Sequence, residues 1–133
     1  MELRILIQQS GPTHTVASVL ELEKTLEDAA LQANSVGRLN VIFLYGPNKD
    51  HLSLVVGGNE TVVGFNYGHG DPPYYASEGV GEGEEPVFTA YVSLEHHTEF
   101  PRHWVVPMEL GRTAAREFLA TGERPTVVNW VEL

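Results

Sequence analysis

Trp104-Val-Val-Pro-Met-Glu-Leu-Gly-Arg-Thr-Ala-Ala-Arg-Glu-Phe-Leu-Ala-Thr-Gly-Glu-Arg-Pro-Thr-Val-Val-Asn-Trp-Val-Glu-Leu133 reads as a helix that turns sharply and hands the chain back to a sheet. Pro107 suits the first turn of a helix, where its missing N–H would have had no partner. Gly122 can adopt the left-handed conformation that closes a helix, and Pro125 forbids its continuation. Between them Leu110, Ala114, Ala115, Phe118 and Leu119 recur at helical spacing, which leaves Arg112, Arg116, Glu117 and Glu123 for water. Val127 to Val131 is rich in β-branched and aromatic residues and predicts a strand. Gly111 is out of place here, because glycine inside a helix costs roughly 1 kcal/mol relative to alanine unless close packing needs it.

The preceding chain has the same mixed character. Leu3, Ile5 and Ile7 alternate with polar neighbours as a strand with a buried face, which Gly11-Pro12 ends. Ser18 and Glu21 fit a capping box. Val19, Leu22, Leu26, Ala29, Ala30 and Ala33 then form one helical stripe opposite Glu21, Glu23, Lys24, Glu27 and Asp28, an acidic face read as solvated surface, and Asn34 to Gly37 ends the helix. Leu39–Tyr45, Leu52–Val56 and Thr61–Tyr67 are strands separated by the turns Gly46–Asp50 and Gly57–Asn59, a spacing that suits an antiparallel meander. Pro86–Leu94 predicts a further strand, and Trp104–Val106 a short one. The expected fold is α+β: a single domain over residues 1–133, mostly antiparallel β-sheet, with two α-helices on one face.

Composition narrows the function. A chain of 133 residues is one domain by length, and such a domain buries roughly two thirds of its unfolded surface. The absence of cysteine excludes disulfides and thiolate metal sites. Nothing near Met1 resembles a signal peptide, and no apolar run approaches the ~20 residues needed to span a bilayer, so a cytoplasmic protein is expected. Eighteen acidic against eight basic residues give a net charge of −10. That balance argues against a nucleic-acid or anionic-membrane binder and favours a basic partner.

Gly68 to Glu85 differs from the rest: glycine and proline dominate it, and it holds Asp71, Glu78, Glu82, Glu84 and Glu85 with the adjacent Tyr74 and Tyr75. Tyrosines are enriched at interface hot spots. Carboxylates on a flexible loop could take the place of phosphates against the Lys and Arg of a partner. The plain alternative is a solvated hairpin tip. His96, His97, Glu99 and His103 offer metal-ligand chemistry, as in a small metal-dependent hydrolase or a ligand-binding domain, but Pro101 makes the segment a loop and no helical His pair is presented, so a surface or partner-contacting role is favoured. Gly79-x-Gly81-x-Gly83 opens no helix and is crowded with glutamates that would repel phosphate. There is no Gly-x-Ser-x-Gly elbow. A zinc deaminase's His-x-Glu with Pro-Cys-x-x-Cys is impossible without cysteine.

Pro107, Ala115, the block Arg116-Glu117-Phe118-Leu119-Ala120-Thr121-Gly122-Glu123-Arg124-Pro125 and the closing Trp130 together resemble the C-terminal signature of an immunity-protein family of bacterial polymorphic toxin systems. That family is associated with deaminase toxins, including one that acts on cytosine in double-stranded DNA. The likeness is strongest over residues 105–133. It is weaker at Leu54–Gly58, Gly64–Tyr67 and Glu99–Pro101, and absent from residues 70–98. The resemblance implies a small antidote with no catalytic residues, no cofactor and no metal. Its implied partner is a cognate toxin domain, basic and a deaminase, rather than nucleic acid or membrane. The residues read as partner-binding are Asp71, Tyr74, Tyr75, Glu78, Glu82, Glu84 and Glu85, with His96, His97 and Glu99 as a second patch.

Overall fold

Short β-rich segments alternate with tight turns, and among the described residues nine strands form the main sheet, seven of them on one continuous path. A computed structural model of the chain describes residues 1–7, 11–81, 87–92 and 96–133. In chain order the elements are β1 (Leu3–Leu6), β2 (Thr13–Val16), α1 (Val19–Ser35), β3 (Asn40–Tyr45), β4 (His51–Val56), β5 (Glu60–Thr61), β6 (Val63–Asn66), β7 (Tyr74–Ser77), β8 (Val87–Tyr91), β9 (His97–Pro101), β10 (Val106–Pro107), α2 (Met108–Thr121) and β11 (Trp130–Glu132). The order across the sheet is β11-β7-β6-β4-β3-β1-β2, with every neighbouring pair on that path antiparallel. The hairpin β8–β9 joins it through a parallel bridge between Asn40 and Tyr91, and β10 pairs with β5.

Side-chain alternation gives the sheet two faces. One carries Leu3, Ile5, Ile42, Leu44, Leu52, Leu54, Val56, Val63 and Phe65, and both helices cover it with Leu22, Leu26, Ala29, Ala114, Ala115, Phe118 and Leu119. The predicted α+β fold, with both helices on one face, is the observed one. The other face is covered only in part: Val41, Val55 and Val62 are sealed by Phe88, Ala90 and Val105, which come from the β8–β9 hairpin and the chain leading into β10.

Ser18 caps α1, its hydroxyl accepting from Glu21 N–H at 3.2 Å, while the Glu21 carboxylate accepts from Ala17 N–H at 3.1 Å. Gly122 closes α2 in the left-handed conformation at φ 69°, and its N–H donates to Phe118 O. Arg116 of α2 reaches Glu23 of α1 at 2.6 Å and so ties the helices together instead of pointing only to water.

Several local expectations give way to tertiary effects. Pro107 lies at the cap with extended backbone, one place before the first turn. Val19 is half exposed because it precedes the stripe that meets the sheet. Thr13–Val16, unremarkable as a sequence, becomes strand β2 because β1 offers it a full antiparallel register. Tyr74–Ser77, read as loop, is strand β7 between β6 and β11. His97–Pro101, also read as loop, is strand β9 against β8. The last strand begins at Trp130 and not at Val127. Thr126 and Val127 give their N–H groups to the Glu117 carboxylate at 2.6 and 3.3 Å, which binds that backbone to α2 rather than to the sheet.

Candidate functional site

The residues singled out from sequence fall into separate environments. Asp71 is exposed and its N–H donates to His69 Nδ1 at 2.9 Å. Tyr74 opens β7 half-buried, its hydroxyl donating to Gly70 O at 2.7 Å. Glu78 is exposed just after β7, where its N–H donates to Asn129 O. Tyr75 points the opposite way, because successive strand residues alternate. It packs edge-on to Trp130 and Tyr67, with the Arg124 guanidinium 4.0 Å from its ring centroid. The two tyrosines therefore do not project together, and Tyr75 belongs to the helical side. Glu82, Glu84 and Glu85 lie outside the described residues.

The histidine patch is an exposed strand edge. His97 Nε2 and Glu99 Oε1 are 3.7 Å apart on one side of β9, both side chains more than half exposed. His96 is exposed ahead of the strand, its carbonyl accepting from Val92 N–H. His103 sits in the short 3₁₀ turn Arg102–Trp104, with its ring set edge-on to Trp104. Among the described residues no three His, Asp or Glu side chains converge as a metal site. The four candidate ligands are dispersed over a strand, its approach and a turn.

Sequence reading missed a feature that only strand register creates. Thr15 stands opposite Arg4, Arg4 opposite Tyr45, Tyr45 opposite His51, His51 opposite Asn66, and Asn66 opposite Tyr74. These residues form one row across six strands on the face that no helix covers. The Tyr45 and His51 rings lie 5.2 Å apart, with Phe43 6.0 Å from His51. Asn66 Nδ2 lies 3.5 Å from His51 Nε2. A second row runs Thr13, Leu6, Phe43, Ser53, Gly64, Ala76 and Val131. Alternation around Arg4 and Tyr45 was visible in the sequence; which strands lie side by side was not.

Burial lowers the His51 pKa below its ordinary value, partly offset by a hydrogen bond to the Lys49 backbone and by the Asp50 charge. The neutral ring is therefore favoured in the folded protein. Because the unfolded chain takes up this proton first, His51 contributes its full stability above pH ~6.5 and loses it as pH falls. Chemical denaturation at pH 8 and pH 5.5 should show a smaller loss for His51→Gln than for the unsubstituted protein. Equal losses would mean that His51 is not the responsible group.

The described residues present a small acidic α+β scaffold with exposed polar-aromatic and acidic surface, and none of them converge as a metal site. The model of the family described as Immunity protein Imm1 matches residues 10–132, and the chain belongs to that family. No curated protein sequence matches it. The chain is thus an immunity protein, which acts by binding a cognate toxin and not by turning over a substrate.

Proposed function

We propose that this immunity protein is the antidote to a nucleic-acid deaminase toxin, held inactive by stoichiometric cover of its active site or substrate groove. What carries the reading is family membership over residues 10–132 combined with a net charge of −10. A deaminase groove that takes a phosphate backbone is cationic, and an acidic protein is drawn to it. Cover of that groove keeps the target base from the zinc-bound water. The proposed contacts are Asp71, Tyr74, Glu78, Glu82, Glu84 and Glu85, with His96, His97 and Glu99 as a second patch; Tyr75 packs on the helical side of β7. Such a toxin finds its target in the cytoplasm, and that is where the antidote would work. Affinity has to be high because an escaped toxin acts catalytically; colicin–immunity pairs reach roughly 10⁻¹³ M or below.

The test uses the toxin domain encoded by the neighbouring gene. It should deaminate a nucleic-acid substrate alone and lose that activity at one equivalent of this protein. A toxin with other chemistry would overturn the deaminase assignment, and a mixture without a complex would overturn the pairing. Replacing Glu82, Glu84 and Glu85 together by alanine should slow association about tenfold at low salt and flatten its salt dependence. Unchanged kinetics would remove that segment from the interface.

A further inference from the structure

Glu21, Glu23, Glu27 and Asp28 lie on α1, and Glu109 and Glu117 on α2. The two rows on the uncovered sheet face contain no carboxylate. Their one fixed charge is Arg4, which is exposed and makes no ion pair among the described residues, not even with Glu2 two positions earlier. Around it are groups that can donate or accept hydrogen bonds: the hydroxyls of Thr15, Tyr45 and Tyr74, the His51 imidazole and the Asn66 amide. In the neighbouring row Ser53 and Gly64 are half-buried, Ala76 is buried and Phe43 packs against the smaller core cluster, so the docking surface is the first row.

The geometry points to this sheet face as a docking surface for the toxin domain, which would seat a carboxylate-bearing segment with its acid on Arg4 and its polar groups along Tyr45, His51, Asn66 and Tyr74. The inference rests on the immunity reading above and adds to it a surface that meets the acidic segment only at Tyr74. Tyr and Arg are among the residues that most often dominate binding energy at interfaces. Five strand-to-strand steps of about 4.8 Å give the row a width of about 24 Å. That approaches the breadth of a patch burying about 800 Å² per partner, the usual size of a stable interface. A nucleic acid is a poor occupant, since one cation against a net charge of −10 cannot hold a polyanion. A carboxylate on Arg4 gains a bidentate, charge-assisted pair, and it meets no repelling acid within either row.

The test measures equilibrium binding of the neighbouring gene's toxin domain, catalytically inactivated, to four forms of the full chain. Arg4→Glu and Tyr45→Ala should each weaken binding about tenfold or more. Lys24→Glu carries the same charge change as Arg4→Glu on the exposed side of α1, and should shift binding less than about twofold if contact rather than overall charge is responsible. Thermal melts establish that each form is folded. Should Tyr45→Ala melt early, Arg4→Glu, an exposed substitution, decides the matter alone. Equal weakening by Lys24→Glu and Arg4→Glu, or wild-type binding by both sheet variants, overturns the docking face while the immunity pairing stands. Failure of the unsubstituted protein to bind overturns the pairing itself, and this inference with it.

Discussion

Phe118→Ala is expected to cost about 3–5 kcal/mol of folding stability, the usual range for removing a fully buried ring. Phe118 has no exposed surface and lies edge-on to Phe65 of β6 at 6.1 Å between ring centroids. It is the point where α2 grips the sheet, and on its far side it lies directly under Gly46 of the β3–β4 turn. A cavity there has helix on one side and sheet on the other, and neither can collapse into it without breaking hydrogen bonds. Domains of this size are stable by only about 5–15 kcal/mol, so the melting temperature should fall by roughly 10–20 °C. Denaturant titration measures it directly. A loss under about 1 kcal/mol would mean the ring is not a core element.

Gly111→Ala is expected to destabilise by about 1–3 kcal/mol, although helix propensity alone would credit alanine with a gain of about 1 kcal/mol. A Cβ at this position would come 2.7 Å from Thr61 Cγ2 and 3.3 Å from Leu54 Cδ2. Thr61 cannot step aside easily: it is fully buried, and its hydroxyl accepts from Val55 N–H at 2.9 Å. Packing therefore outweighs propensity, and the glycine lets α2 lie close against Leu54 of β4 and Thr61 of β5. Thr61→Ser keeps the hydroxyl and removes the obstructing methyl, so adding it to Gly111→Ala should recover part of the loss. A more stable Gly111→Ala protein, or no recovery in the double variant, would contradict this account.

The fold was largely legible from residues 104–133 and from the meander that precedes them. Apolar spacing in α1 and α2 placed Leu22, Leu26, Phe118 and Leu119 correctly in the core. Where reading by pattern went astray, the cause was a partner distant in sequence. Thr13–Val16 carries weak strand signals and pairs because β1 is adjacent. Tyr74–Ser77 lies inside a glycine- and proline-rich segment, yet it fills the place between β6 and β11. Glu117, assigned to water, holds the backbone of Thr126 and Val127 and delays the last strand.

The candidate site was less legible. Asp71, Glu78, His97 and Glu99 were singled out by residue type alone, and they lie exposed on the surface. The row Arg4, Tyr45, His51, Asn66 and Tyr74 spans 71 positions of chain and has no local signature. It exists only because four antiparallel registers bring those residues abreast.

By itself the sequence determined the fold class, the two helices, the acidic character and, through its C-terminal block, the kinship with immunity proteins, because periodicity, charge and capping are properties of short stretches. Tertiary structure alone decided which sheet face the two helices leave bare, why position 111 is glycine, and that Tyr74 and Tyr75 face opposite ways. Those outcomes depend on register and close approach between elements far apart in the chain, and no local pattern encodes them.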